Sequence, residues 1–265
     1  MNKPADAGAI EVFRLESVDS TNMHARRELE RGSPPAGPRV YIAREQTLGR
    51  GQRGRTWASP PGGLWCTFVM PRGGAIAPDE LSGKAAGTLG IRVGLACVST
   101  VHAILRQDRA SVTVSLKLPN DVLVHSRKIA GILTEVVTTG AGDPGRVYVL
   151  VGVGINADVA LTELPPAIQP QATTLRTVLG RAVDVALLER TLIQMMAPAI
   201  SAGPLTAPEL IAVRACLHGR GSSKRVVTPG GLLVEGKLEG VDALGAVVVS
   251  TPTGTASGTL EPSLR

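Results

Sequence analysis

The chain has 265 residues, 43% apolar and 19% charged, enough to bury one large core with room for a small second unit. Basic residues outnumber acidic ones by 28 to 22, for a net charge of +6 and a pI of about 9.6, which suits an anionic ligand; aromatic residues at 2% exclude a stacking platform for single-stranded nucleic acid. Three cysteines without CxxC spacing and four isolated histidines suggest neither a zinc site nor a Cys–His dyad, and fit a reducing, cytoplasmic setting better than a disulfide framework.

Residues 11–15 alternate like a short strand, and Ser20 or Thr21 caps a helix expected over 22–31, which stops at the Gly32-Ser33-Pro34-Pro35 turn. A strand at 40–43 leads into the Gly/Arg-rich stretch 49–57, and another at 64–70 follows the Pro60-Pro61-Gly62-Gly63 turn. Residues 78–105 have helical spacing, with Leu81, Ala85, Leu89, Val93, Ala96, Val101 and Leu105 near one face, so this helix is expected to pack across the sheet. Arg92 interrupts that apolar run and no apolar leader precedes Glu11, so neither a membrane span nor a signal peptide is expected.

Strands are expected at 112–118, 122–125, 129–137 and 147–153, followed by a Pro-rich connection at 165–170 and a final amphipathic helix at 185–200. Four short strands at 224–228, 232–238, 246–250 and 256–260, separated by Gly-rich turns, then suggest a small barrel. The fold class is α+β or mixed α/β, divided into a catalytic unit at 1–216 and a β domain at 217–265.

Residues 49–57 read GRGQRGRTW, three glycines and three arginines closed by one of two tryptophans. Gly49, Gly51 and Gly54 can take positive φ and bring backbone N–H groups close to a ligand. Arg50, Arg53 and Arg55 offer guanidinium forks suited to phosphate or carboxylate. The stretch is neither a Walker A loop nor a GxGxxG turn. Alone it fits a solvated Arg-Gly loop as well as it fits a phosphate site.

Four further clusters carry polar chemistry, each with a plain structural alternative. Ser17-Val18-Asp19-Ser20-Thr21-Asn22 can hydrogen-bond a small polar head group or simply cap a helix. Lys117-Leu118-Pro119-Asn120-Asp121 gathers a cation, an amide and a carboxylate, and also reads as a turn. In residues 127–135, RKIAGILTE, the small Ala130 and Gly131 let a ligand lie against the backbone, or the segment is a hairpin with Lys128 in solvent. Residues 151–156, VGVGIN, are a strand whose glycines share a face and which ends in an amide, or a strand with two packing notches.

In this order SVDSTN, GRGQRGRTW, KLPND, RKIAGILTE and GVGIN resemble the biotin protein ligases, also called biotin–[acetyl-CoA-carboxylase] ligases, over residues 12–156. The β-rich end is similar, more loosely, to that family's SH3-like domain. The resemblance implies a class II aminoacyl-tRNA-synthetase-like biotin/lipoate ligase catalytic domain with a small C-terminal SH3-like β-barrel. It further implies ATP and biotin as substrates, Mg²⁺, and two steps: formation of biotinyl-5′-AMP, then transfer of the biotinyl group to one lysine of a biotin carboxyl carrier protein or domain. The lipoate ligases share the catalytic fold but lack the Gly/Arg loop.

By the same resemblance, Ser20, Thr21 and Asn22 are the ureido-side biotin contacts. Gln46, Arg50, Gly51 and Gln52 belong to a lid over biotin and the adenylate, and Gly131 lies along the biotin. Lys128 neutralises first the biotin carboxylate and then the anhydride phosphate. Arg53 and Arg55 approach the ATP phosphates, Trp57 packs by adenine, and Lys117, Asn120, Asp121 and Asn156 hold phosphates and Mg²⁺, with Asp121 the carboxylate for the metal or for orienting the acceptor lysine. Lys128, Arg50 and Asp121 are the implied catalytic set. The biotin motif starts at Ser17, so the form without an N-terminal DNA-binding domain is expected, with no DNA or membrane partner; the family also suggests a homodimer. A noncatalytic biotin- or nucleotide-sensing module and a lipoate/octanoate ligase-like enzyme are the alternatives, and retention of both Lys128 and Asp121 favours an enzyme.

Two positions depart from the family pattern: Gln52, where the loop commonly has arginine, and Leu118, where tryptophan is common. Leu118 substitutes hydrophobic bulk. Gln52 keeps donors but lacks a charge beside the adenylate phosphate, so wild-type protein is expected to release biotinyl-adenylate faster than Gln52→Arg. Stopped-flow release that is no faster in the wild type would contradict this.

Overall fold

The structure is a computed structural model that describes residues 10–31, 35, 37–72, 84–106, 112–139, 146–199 and 203–261. Seven strands, β1 (Glu11–Val18), β2 (Arg39–Gln46), β3 (Leu64–Arg72), β4 (Val114–Lys117), β5 (Asp121–Val124), β6 (Arg127–Thr139) and β7 (Arg146–Ile155), form one sheet in the order β1-β2-β3-β7-β6-β5-β4. Only β1 and β2 pair in parallel, and the crossover this requires is helix α1 (Thr21–Arg31). The mixed α/β expectation holds.

Strand alternation decides what each face carries. On β7, Val147, Val149, Val151, Val153 and Ile155 join the main core, whereas Tyr148 and Leu150 pack with Ala25 and Leu29 of α1 on the opposite face. The main core is closed by α2 (Lys84–Arg106), through Leu89, Val93, Cys97, Val101 and Leu105, and by α4 (Val185–Ala199), through Leu188, Leu192 and Met196; between them in sequence lies the short α3 (Leu175–Leu179). The expected helix thus lies across the sheet; its proposed first turn, 78–83, falls outside the described residues. Trp65, Phe68, Tyr148 and Tyr41 are buried, so most of the scarce aromatics serve the core. Cys66 and Cys97 are buried free thiols, and burial pushes Cys97 up to about 12.

The expectation that 185–200 is the final helix is overturned by α5 (Ala207–Cys216). Its start signals are local: Glu209 accepts hydrogen bonds from the Thr206 N–H at 2.7 Å and from the Thr206 hydroxyl at 2.9 Å. Only Val213 on it is fully buried, so it shows no apolar stripe of the kind that marks a helix in sequence.

Four strands, β8 (Ser223–Val227), β9 (Leu233–Val241), β10 (Val247–Thr251) and β11 (Gly254–Leu260), close in the order β10-β11-β8-β9 around Leu217, Val226, Leu238, Val247 and Val249. This β unit meets the larger one through the Leu116–Leu217 bridge, the His218 N–H bond to the Leu116 carbonyl at 2.9 Å, and a cluster of Ile91, Leu205, Val213 and Val241.

Arg92, on the apolar run, is 4% exposed. Its guanidinium meets Glu209 at 2.6 and 3.2 Å and the carbonyls of Gly203 and Pro204 at 3.0 and 2.8 Å, tying α2 to α5. By length and composition alone 87–106 is apolar enough to cross a membrane; 67% of its most apolar 18-residue window is buried within the fold. The Arg92 hydrogen bond holds the Glu209 carboxyl down at about 2, against the upward push of burial. A depressed carboxyl pKa stabilises the fold above its unfolded value, near 4.5, and that contribution is lost as pH falls toward about 2. The melting temperature of wild type should therefore exceed that of Glu209→Gln near neutrality, with the gap closing over that acid range; a constant gap would contradict this origin.

Candidate functional site

Sheet register assembles the site. Lys117 pairs with Asp121, Asp121 with Gly131, Gly131 with Gly154 and Gly154 with Trp65, a row of residues sharing one face across five strands. The next row on that face runs Leu133, Gly152, Thr67, Tyr41. This is the face that carries α1, whose second residue, Asn22, lies over Gly152. Between these rows and the Gly/Arg loop lies a cavity of about 640 Å³.

Its inner wall, formed by Ser20, Thr21, Asn22 and Gln46, is backed by a connected polar array. Ser20, Thr21 and Asn22 are each 3% exposed. The Thr21 N–H and hydroxyl lie 2.8 and 3.0 Å from Gln46 Oε1, and Gln46 Nε2 donates to Ser59 Oγ at 2.7 Å. The Thr67 hydroxyl donates to Asn22 Oδ1 at 2.5 Å, and Asn22 Nδ2 donates to Glu135 Oε2 at 2.8 Å. Asp19 is gripped by both Arg27 nitrogens at 2.7 Å; that hydrogen bonding, aided by the Ser20 N–H, lowers its carboxyl to about 2. A Cβ on Gly152 would fall inside contact distance of Asn22 Oδ1 and 3.1 Å from its Cγ, so this glycine makes room for the Asn22 amide.

The Gly/Arg loop is a narrow hairpin. The Gly51 N–H reaches the Arg55 carbonyl at 2.7 Å and the Trp57 N–H reaches Gly49 O at 2.8 Å. Of its three glycines only Gly54 has positive φ (73°), which corrects the expectation for Gly49 and Gly51; Arg53 itself enters the left-handed region at φ 58°. Gly49 is instead needed for close approach, since a Cβ there would meet the Trp57 carbonyl.

Lys128 Nζ forms an ion pair with Asp121 Oδ1 at 2.6 Å and stands 5.0 Å from the Trp57 ring centroid. The β5–β6 turn delivers it: His125 and Ser126 both take positive φ (48° and 63°), the twist of a two-residue hairpin. The Trp57 ring lies on the strand backbone, where a Cβ on Gly154 would be 2.5 Å from its Nε1 and one on Gly131 would be 2.8 Å from its Cζ3. The two glycines are therefore the floor under that ring. The Trp57 indole N–H is buried with no hydrogen-bond partner among the described residues.

Asn120 Nδ2 donates to Ile132 O at 3.0 Å and Asn156 Nδ2 to Thr173 O at 3.0 Å, fixing both amides from behind. Ser20, Thr21, Asn22, Gln46, Arg50, Gly51, Gln52, Arg55, Trp57, Lys117, Asn120, Asp121, Lys128, Gly131 and Asn156 all line the cavity; Arg53 does not, its side chain being exposed at the hairpin tip.

Sequence reasoning missed one wall segment and three single residues. Residues 164–172 wall one side, docked by the Lys128–Ala172 bridge and by the Thr173 N–H bond to Lys128 O at 2.9 Å; their prolines signalled only a connection. His218 reaches the cavity from the segment leading into the β unit, and Thr67 and Glu135 complete the polar array from β3 and β6. Contacts so distant in sequence leave no local pattern.

The sequence model of the Biotin/lipoate A/B protein ligase family matches residues 15–156. The Biotin--[acetyl-CoA-carboxylase] ligase of Paracoccus denitrificans is 33% identical over 249 residues, covering 91% of this chain and 94% of that protein. The protein of the same name from Mycobacterium tuberculosis is 32% identical over 207 residues, covering 78% and 71%. Among solved structures, the biotin protein ligase from Aquifex aeolicus in complex with biotin and ATP superposes with a TM-score of 0.69 over 95% of this chain and 97% of that one, a likeness of fold at 24% identity. The chain belongs to the Biotin/lipoate A/B protein ligase family.

Proposed function

We propose that this chain is a biotin–protein ligase that condenses biotin with ATP to biotinyl-5′-AMP and pyrophosphate and passes the biotinyl group to a lysine of a biotin carboxyl carrier domain. The observation that carries this reading is the Lys128–Asp121 pair, set between the uncharged array of Thr21, Asn22 and Gln46 and the arginines of the loop in one cavity. The Paracoccus denitrificans and Mycobacterium tuberculosis relatives, each named a biotin--[acetyl-CoA-carboxylase] ligase, support it.

The chemistry follows from charge. A carboxylate must attack an α-phosphate, two anions that repel, so catalysis consists of neutralising and positioning them. The uncharged inner wall suits a ureido group, which both donates and accepts hydrogen bonds. Lys128 takes the carboxylate end, Arg50 and Arg55 with Lys117 the phosphates, and Trp57 the flat face of biotin or adenine. Arg53 joins the phosphates only if the hairpin tip turns inward.

Mg²⁺ is proposed as an arrival with ATP. Among the described residues no three His, Cys, Asp or Glu side chains gather as a metal site, and Asp121 is the one carboxylate on the cavity wall. That donor set fits an ion whose other ligands are phosphate oxygens and water. Bound there, it would offset phosphate charge; Asp121 would hold it, with the Asn120 and Asn156 amides beside the phosphates.

The division at 216/217 is proposed as the domain boundary, with the β unit reaching the site through His218. A cytoplasmic homodimer acting on a carboxylase carrier completes the reading; light scattering tests the dimer. The first half-reaction is tested by biotin-dependent exchange of label between pyrophosphate and ATP. Exchange with biotin and none with lipoate is expected; no exchange with either would leave the sensing-module alternative.

A further inference from the structure

Hydrogen-bond direction in the polar array is set from outside the cavity. The Glu135 carboxylate only accepts, and it takes Asn22 Nδ2 at 2.8 Å with the Arg26 guanidinium 3.8 Å away on its other oxygen. Asn22 must then present Oδ1 to Thr67, whose single proton is committed to it at 2.5 Å. Thr21 Oγ1, 2.8 Å away, competes for that one Thr67 proton, and the shorter contact to Asn22 holds it. On the far side the Thr21 N–H fixes the Gln46 oxygen, Gln46 Nε2 donates to Ser59, and the Ser59 hydroxyl donates to the Trp57 carbonyl at 3.2 Å.

Thr21 Oγ1 donates its own proton to Gln46 Oε1 at 3.0 Å, and the one donor facing it among the described residues, the Thr67 hydroxyl, is drawn away by Asn22 at the shorter distance. Its lone pairs remain for a ligand N–H. With the Asn22 amide reversed, Asn22 would donate to Thr67, the Thr67 proton would turn to Thr21, and part of that accepting capacity would be lost.

We propose that Glu135 is a positioning residue: by holding the Asn22 amide in one orientation it draws the Thr67 proton away from Thr21 and keeps Thr21 Oγ1 open as an acceptor for a ureido N–H. This rests on the assignment of residues 20–22 to biotin. The Glu135 side chain makes no part of the cavity wall, so its effect on ligand passes through Asn22.

The test is calorimetric titration of the full chain with biotin and, separately, with ATP. Glu135→Leu is expected to weaken biotin binding about tenfold or more, with ATP affinity unchanged, since an inverted polar contact forfeits a hydrogen bond and leaves a group unpaired. Glu135→Gln keeps an acceptor for Asn22 Nδ2 and is expected to stay within about threefold of wild type. Thr67→Val breaks the same chain, so the double variant should lose much less than the product of the two single losses.

Unchanged biotin affinity in Glu135→Leu, equal loss of ATP affinity, or multiplicative losses in the double variant would overturn the proposal alone. A wild type that binds no biotin would overturn the underlying reading. Should Glu135→Leu not fold, Glu135→Asp keeps the charge near Arg26 but withdraws the carboxylate from Asn22, and the same selective loss is expected.

Discussion

Lys128→Ala is expected to reduce biotinyl-adenylate formation by about 10²–10³-fold while the fold, followed by circular dichroism and melting, is kept. The ammonium is ion-paired with Asp121 at 2.6 Å and stands 5.0 Å from the centroid of the Trp57 ring, which covers Gly131 and Gly154. Its removal does two things at once: the incoming carboxylate and phosphate lose their countercharge, and Asp121 adds an unpaired negative charge to the same wall. Lys128 lies on a paired strand and its backbone carbonyl, not its side chain, docks Thr173, so stability should change little. Pyrophosphate release by the variant at the wild-type rate would refute the role.

The second large effect is expected from Gly152→Ala, a change of one methyl group. The added Cβ would collide with the Asn22 amide, which is bonded to Thr67 at 2.5 Å and to Glu135 at 2.8 Å. Strand β7 is held on both sides, by β3 and β6, and cannot move away cheaply. Asn22 must therefore swing out, and with about two hydrogen bonds lost biotin affinity should fall by roughly tenfold to a hundredfold. ATP affinity should be nearly untouched. A biotin Kd unchanged in Gly152→Ala would show that the amide does not face the ligand.

Both predictions use residues visible in the sequence, but what makes them act together was visible only in part. Strands such as 147–153 and 129–137 were legible because alternation is local, and the same alternation placed Gly152 and Gly154 on one face. Helix α5 was not legible: Thr206 and Glu209 announce its start, yet only Val213 is buried, so no stripe follows. The Gly/Arg loop was legible as chemistry but not as conformation. Composition suggested three flexible glycines, whereas Gly49 is held by the approach of Trp57 and the left-handed turn falls to Arg53 and Gly54.

Glu135 shows the other limit. It closed the RKIAGILTE motif, but its partner Asn22 lies 113 residues away on α1, and the pair follows from the docking of that helix on the sheet rather than from any local signal. Thr67, with its hydroxyl between Thr21 and Asn22, was hidden in the same way inside an ordinary-looking strand. The walls of the site contributed by 164–172 and His218 depend on tertiary docking at Lys128 and Leu116. Motifs reveal which residues a site uses; the sheet decides which of them face one another.

The most direct test of the account is mass spectrometry of an apo carrier domain after incubation with this protein, ATP, Mg²⁺ and biotin. The account predicts the mass gain of one biotinyl group on a single carrier lysine, dependent on ATP and absent with Lys128→Ala. No gain with biotin, or a gain with lipoate in its place, would contradict it.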